Sequence, residues 1–154
     1  MAILSWGKCS ITHGTSNNGA AASNWTAIDT PKEDTTRLTT TAGTEVTATE
    51  EGGGIVDARN GKNSYQLEFD LFVKKGGTRP FSDDDGVVAG EHSFRVVPED
   101  PTCEGIQIDR SIVRCEESYS TADGKLLHYV VRCLKPATGN TVKPYTQGNT
   151  QSNP

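Results

Sequence analysis

Residues 64 to 74 read SYQLEFDLFVK, and their alternation limits the possible folds more than any other stretch of the chain. Tyr65, Leu67, Phe69, Leu71 and Val73 fall on one side of an extended backbone, with Gln66, Glu68, Asp70 and Lys74 on the other. A helix would scatter these side chains around its axis. An extended strand of roughly ten residues, about 33 Å long, turns one side to a core and the other to water. Phe72 interrupts the polar side, either as a lone exposed ring or as a contact with another subunit. From Tyr65 to Val73 there is no proline or lysine to blunt an edge, so a strand of this chain or of a neighbour must cover it.

The flanking sequence extends the β pattern. Thr44 to Glu50 alternates as TEVTATE, and Ile55 to Arg59 alternates again before Asn60-Gly61, a dipeptide suited to a type I′ turn. The spacing predicts that the 55–59 segment and the 64–74 strand fold back on each other across that turn. Further along, HSFRVV reads as a short strand, PEDPTCEG as a proline-bounded loop and IQIDRSIVRCEESY as a long strand. A closing hairpin is expected at Thr121-Ala122-Asp123-Gly124-Lys125, with glycine in the left-handed position. If Thr121 faces Lys125, then Val113, Cys115 and Tyr119 share the core side with Leu127, Tyr129, Val131 and Cys133. That register sets Cys115 opposite Val131 and diagonal to Cys133.

At the N-terminal end, residues 3 to 13 read as a first strand and 14 to 24, GTSNNGAAASN, as a flexible loop. Thr30-Pro31-Lys32-Glu33 meets the capping-box pattern, with a threonine hydroxyl for the N3 amide, proline at N1 and a glutamate reaching back. One short helix is expected there, cut off by the threonines that follow. After Pro136 the chain is nearly devoid of apolar residues and reads as loose. The expectation is therefore a mainly β chain: an antiparallel β-sandwich or partial barrel with one short α-helix. It comprises a single β domain over 1–138 and a loose C-terminal tail over 139–154.

Charge and motif content narrow the function classes. With 20 acidic against 15 basic residues the net charge is −5, the wrong sign for gripping nucleic-acid phosphates. No apolar run is long enough to span a membrane, and no secretory pattern opens the chain, so the reading is a soluble protein made in the cytoplasm. The glycines at 52–54 sit near Gly61-Lys62, but a phosphate loop fails on spacing: Val56 stands where its first glycine belongs and Asn63 where its hydroxyl belongs. Cys9, Cys103, Cys115 and Cys133 contain no CxxC pair, and His13, His92 and His128 join no metal motif. The run Asp83-Asp84-Asp85-Gly86 lacks calcium-loop alternation. No metal, no cofactor and no catalytic constellation are expected.

The order of features over residues 26 to 136 resembles the major tail tube proteins of long-tailed bacteriophages and the related inner tubes of contractile injection systems. The likeness is carried by LTTTAGTEVTATEEGGGIVDARNGKNSYQLEFDLFV, by the Glu50-Glu51-Gly52-Gly53 turn before a strand, and by PEDPTCEGIQIDRSIVRCEESYSTADGKLLHYVVRCLKP with its closing hairpin. The resemblance implies a structural virion subunit, not an enzyme, located in the virion tail. Its copies would form hexameric rings, stack into a tube alongside other tail proteins and let DNA pass transiently and without sequence preference. Under it, Gln66, Glu68 and Asp70 are lumen-facing candidates whose like charge would keep DNA from sticking. Gly52, Gly53, Gly54 and Phe72 are subunit-contact candidates. From the residues alone, that acidic face is equally the solvated side of a half-open sheet and the glycines a loose loop. A single-ring head-to-tail joining or tail-terminating protein is one alternative. A carbohydrate-binding β-sandwich with Trp6, Trp25 or Tyr145 as a stacking platform is the other.

Overall fold

The alternating run forms β6 (Ser64–Phe72), with Leu67, Phe69 and Leu71 buried. The computed structural model describes residues 3–146, and every regular element among them is a strand. In chain order the others are β1 (Ser10–Thr15), β2 (Thr26–Ala27), β3 (Arg37–Thr41), β4 (Glu45–Thr49), β5 (Ile55–Asn60), β7 (Asp83–Asp84), β8 (Val87–Val88), β9 (His92–Val97), β10 (Gly105–Ser120), β11 (Gly124–Cys133) and β12 (Val142–Tyr145). All pairings between strands are antiparallel. One ten-stranded sheet runs β2-β1-β9-β10-β11-β6-β3, with β12 and β8 also on β10 and β7 on β8. The pair β4-β5 stands apart as its own sheet.

The sheet turns around one core. Phe94 on β9 and Phe69 on β6 lie three strands apart, which in a flat sheet separates their backbones by about 14 Å. Their ring centroids are 6.4 Å apart, so the sheet curls and brings its inward faces together. Phe81 fills the space between, 5.9 Å from Phe94 and 5.6 Å from Tyr129, and Tyr129 lies 5.5 Å from Phe69. Ile11, Leu67, Ile108 and Val131 complete the fully buried centre, each side chain contributing roughly 1.5–3 kcal/mol by leaving water. β10, sixteen residues long, binds both halves. Its first half pairs with β9 and β12, its second with β11.

Several expectations change. No helix forms at Thr30–Glu33. The segment makes one tight turn, with Asp34 left-handed at φ 61°. There the Thr35 hydroxyl donates to the Lys32 carbonyl at 2.7 Å and accepts from the Asp70 amide at 3.1 Å. The Lys32 amide donates to the Asp70 carbonyl at 2.8 Å and the Thr35 amide to the Lys32 carbonyl at 3.3 Å, so the bonds to β6 hold this segment as a turn tied to the strand. Nor does Asn60-Gly61 turn β5 onto β6. β5 pairs with β4, closed at residues 50 to 54, while β6 lies between β11 and β3. Both long edges of β6 are thus covered within the chain, and no neighbour is needed there.

The closing hairpin has Gly124 at φ 74° as expected, but Ser120 pairs with Gly124, so Cys115 faces Tyr129 and Ser111 faces Cys133. The slip of two residues relative to the sequence register preserves the side each residue faces. All four cysteines are free. Only Ser10 to Thr15 of the first segment is strand. In the 14–24 stretch, Asn17 and Ala20 exchange backbone bonds, Gly19 accepts from the Ala137 amide at 2.8 Å, and the Ala22 amide donates to Ser93 Oγ at 3.0 Å. The predicted boundary at 138 also moves, because Val142–Tyr145 is a strand on β10. Residues 147–154 of the predicted tail lie outside the described residues.

Candidate functional site

The least integrated element is the β4-β5 ribbon. β4 alternates small Thr and Ala with Glu45 and Val46, β5 mixes Ile55 and Val56 with polar residues, and every residue of both strands is exposed. Val46, Ile55 and Val56 stand 52%, 65% and 62% accessible. At the tip Gly52 and Gly53 adopt φ 94° and 95°. The turn is closed by the Gly53 amide on the Glu50 carbonyl at 3.1 Å and the Glu50 amide on the Gly54 carbonyl at 2.9 Å. At the base the Gly61 amide donates to Thr44 at 2.7 Å. A Cβ on Gly43 would there lie 2.3 Å from the Gly61 backbone, so the two ends of the ribbon cross only because Gly43 has no side chain. Of the glycines named from sequence, Gly52 and Gly53 therefore form a tip in open space, while Gly54 lies against the Glu50 side chain. An isolated two-stranded ribbon in water is at best marginally stable, and this one carries Glu45, Glu50, Glu51 and Asp57 against a single Arg59.

Gln66, Glu68 and Asp70 occupy one face of β6, all half-buried. They are linked: Gln66 Nε2 donates to Glu68 Oε2 at 2.9 Å, and His128 on β11 sets Nε2 3.2 Å from Glu68 Oε1 and Nδ1 2.5 Å from Asp70 Oδ1. The register also puts Arg37 opposite Glu68, Arg132 opposite Gln66, and Arg114 opposite Val130 on the same face. The face is thus of mixed charge, with Glu68, Asp70 and Glu116 against Arg37, Arg114 and Arg132. Cross-strand partners from β3, β10 and β11 supply the positive groups, and the acidic character expected from β6 alone is corrected by them. Phe72 lies at the end of this face, 39% exposed, beside Leu126.

The proposed stacking platform is taken up internally. The Arg95 guanidinium lies 4.0 Å from the Trp25 ring centroid and 4.5 Å from that of Tyr145, held by Nε on Gln107 at 3.0 Å. One face of each ring is therefore covered. Trp6 lies elsewhere, on an exposed N-terminal segment with Ile3 and Leu4. Beneath Arg95, Gln107 Nε2 donates to Asp109 at 2.8 Å and Lys143 from β12 pairs with the same buried carboxylate. Sequence reading missed this pair because Lys143 lies in a stretch with few apolar residues.

Elsewhere the environment moves titrations in ways that suit packing. Burial pushes the Cys133 thiol up to about 12 and raises that of Cys115. Burial also pushes the Tyr129 phenol up, and its oxygen has only the Cys115 thiol beside it. Among the described residues no three His, Cys, Asp or Glu side chains are placed to hold a metal ion, and no helix is long and apolar enough to cross a membrane. The chain matches no protein-family model, and no curated protein matches it.

Proposed function

We propose that the chain is a self-assembling structural subunit of the phage tail-tube kind, whose copies close into hexameric rings that stack into a conduit for DNA. The observation that carries this reading is the β4-β5 ribbon, fully exposed, apolar at Val46, Ile55 and Val56, and tipped by Gly52-Gly53-Gly54. A two-stranded ribbon with no core of its own gains stability by packing on another surface, and a second copy supplies one at every subunit. The antiparallel, mainly β fold, wrapped as a sandwich or partial barrel, fits the same reading.

In that assembly Gln66, Glu68 and Asp70 face the lumen together with the arginines of β3, β10 and β11. Passage of DNA then rests on carboxylates and cations neutralising one another, which leaves phosphates no strong net field, and not on like-charge repulsion. Sedimentation velocity over a rising concentration series tests the reading with two proteins: the intact chain, and a variant with residues 45–60 replaced by a short Gly-Ser linker. The expected result is mass growth to rings and stacks for the intact chain and a monomer for the variant. A monomer at every concentration for both, or equal assembly by both, would remove the ribbon from this role.

A further inference from the structure

His13 on β1 and His92 on β9 both lie against Phe81, at centroid distances of 4.6 and 5.0 Å. Their Nδ1 atoms are both enclosed and without a hydrogen-bond partner. His92 Nε2 lies 3.0 Å from the Ala89 carbonyl. A carbonyl only accepts, so Nε2 carries the proton and Nδ1 keeps a bare lone pair. A second proton on either ring would put an N–H at an Nδ1 that has no acceptor among the described residues, and at His13 burial also disfavours the cation.

The surroundings offer no relief. The two rings open on a cleft of about 730 Å³ between β1, β2, the Pro80–Ser82 turn and the Val88–Ala89 edge, and among the described residues the two histidines are the only ionisable side chains lining it. β2 contributes Thr26, the turn Pro80 and Ser82, β8 and its end Val88 and Ala89, and β9 the apolar Phe94 ring. On the core side, Phe81 meets Tyr129, which is neutral near pH 7. The nearby acids are turned elsewhere. Asp83 faces Arg79 and the Gly86 amide, Glu91 faces Arg110, and Asp109 faces Gln107 and Lys143.

We infer that this histidine pair is an acid-sensitive latch: protonation expels Phe81 and releases the 78–90 segment from the sheet while the β10-β11 hairpin stays folded. The segment is suited to local opening. It is held to the sheet by the buried Phe81 and Val88 side chains, by a single β8-β10 pairing of Val87 with Arg114, by the Cys115 amide on the Gly86 carbonyl at 2.9 Å and by the ion pair of Arg79 with Glu117. Its opening uncovers the aromatic end of the core at Phe81, Phe94 and Tyr129, an apolar surface absent from the closed form.

The direction follows from linkage. Burial, and next the charge of His92, lower the His13 pKa below 6.5. The open form therefore binds the proton more tightly, and closure is fully stable above pH 6.5 and weakens as pH falls through it. A histidine that titrates near 6.5 when released and stays neutral while enclosed multiplies the open population by up to about tenfold between pH 7.5 and 5.5. The lower limit keeps above the range in which carboxylates ordinarily titrate.

Amide hydrogen exchange at pH 7.5 and 5.5, corrected for the intrinsic rate, tests the latch on the full chain. The Cys115 amide, which donates to the Gly86 carbonyl across the junction, should lose protection several-fold at the lower pH, while the amides pairing β10 with β11 beyond Glu116 keep theirs. His13→Phe retains a ring against Phe81, and His92→Gln retains a donor for Ala89. The double variant should show no pH response, and His13→Phe alone should lose most of it. Unchanged Cys115 protection in the native chain, uniform loss along all strands, or a full response in His13→Phe would overturn the inference.

Discussion

Lys143→Ala isolates the link by which the last strand is tied to the sheet. Asp109 is 4% exposed, and its carboxylate meets Gln107 Nε2 and Lys143 Nζ. Removing one partner of a buried pair costs about 3–5 kcal/mol when nothing else reaches the charge. Here Gln107 remains, and the Lys143 side chain keeps 26% of its exposure, so water enters the vacated space. A loss of about 2–3 kcal/mol is expected, which in a chain of this size lowers Tm by roughly 5–10 °C. Urea unfolding followed by tryptophan fluorescence measures it, since Trp25 shares Arg95 with Tyr145 of the same strand. In an Asp109→Asn background the charge is gone and Gln107 can still donate, so Lys143→Ala should cost about 1 kcal/mol or less. An effect below 0.5 kcal/mol in the native background, or equal effects in both, would refute the reasoning, on the order expected for a merely exposed pair.

Replacing residues 45–60 by a short linker should leave the midpoint of thermal unfolding within about 2–4 °C of the intact chain, because the ribbon adds nothing to the core; calorimetry decides it. Gly124→Ala should cost about 1–2 kcal/mol in urea unfolding, since the residue sits at φ 74° with open space around it, so the cost is conformational alone. Among the cysteines, Cys9 and Cys103 should react with a disulfide reagent in the native protein at pH 8, and Cys115 and Cys133 only on unfolding. Because the Cys133 thiol is raised from 9.0 to about 12, the unfolded chain loses that proton first. Stability should therefore be complete below pH 9 and decline as pH rises above it, as a pH series of urea midpoints would show.

The strands with large apolar residues at alternate positions were legible because burial fixes which side they face. β6, β9, β10 and β11 formed where the pattern placed them, and the inward set of the closing hairpin survived a two-residue slip in its register except for Tyr119, which lies 76% exposed near the hairpin end, beyond the reach of the core. What was not legible depended on partners distant in sequence. The capping pattern at Thr30 was locally sound, yet β6 supplied competing backbone bonds to Lys32 and Thr35. Asn60-Gly61 suited a turn, but the triple glycine offered β4 a closer partner in β5, and Asn60-Gly61 came to lie where the ribbon meets the sheet. Val142–Tyr145 has too few apolar residues to announce a strand; its pairing depends on the unpaired flank of β10 and on buried Asp109. The charge of the β6 face was misread for the same reason, since Arg37, Arg114 and Arg132 arrive on it from three other strands.

Negative-stain electron microscopy of the intact chain across a rising concentration series tests the assembly claim most directly. Hollow rods built of stacked six-fold rings with stain-filled centres are the predicted result. Single rings that never stack would point instead to a joining or terminating role, and small uniform particles at every concentration would contradict self-assembly itself.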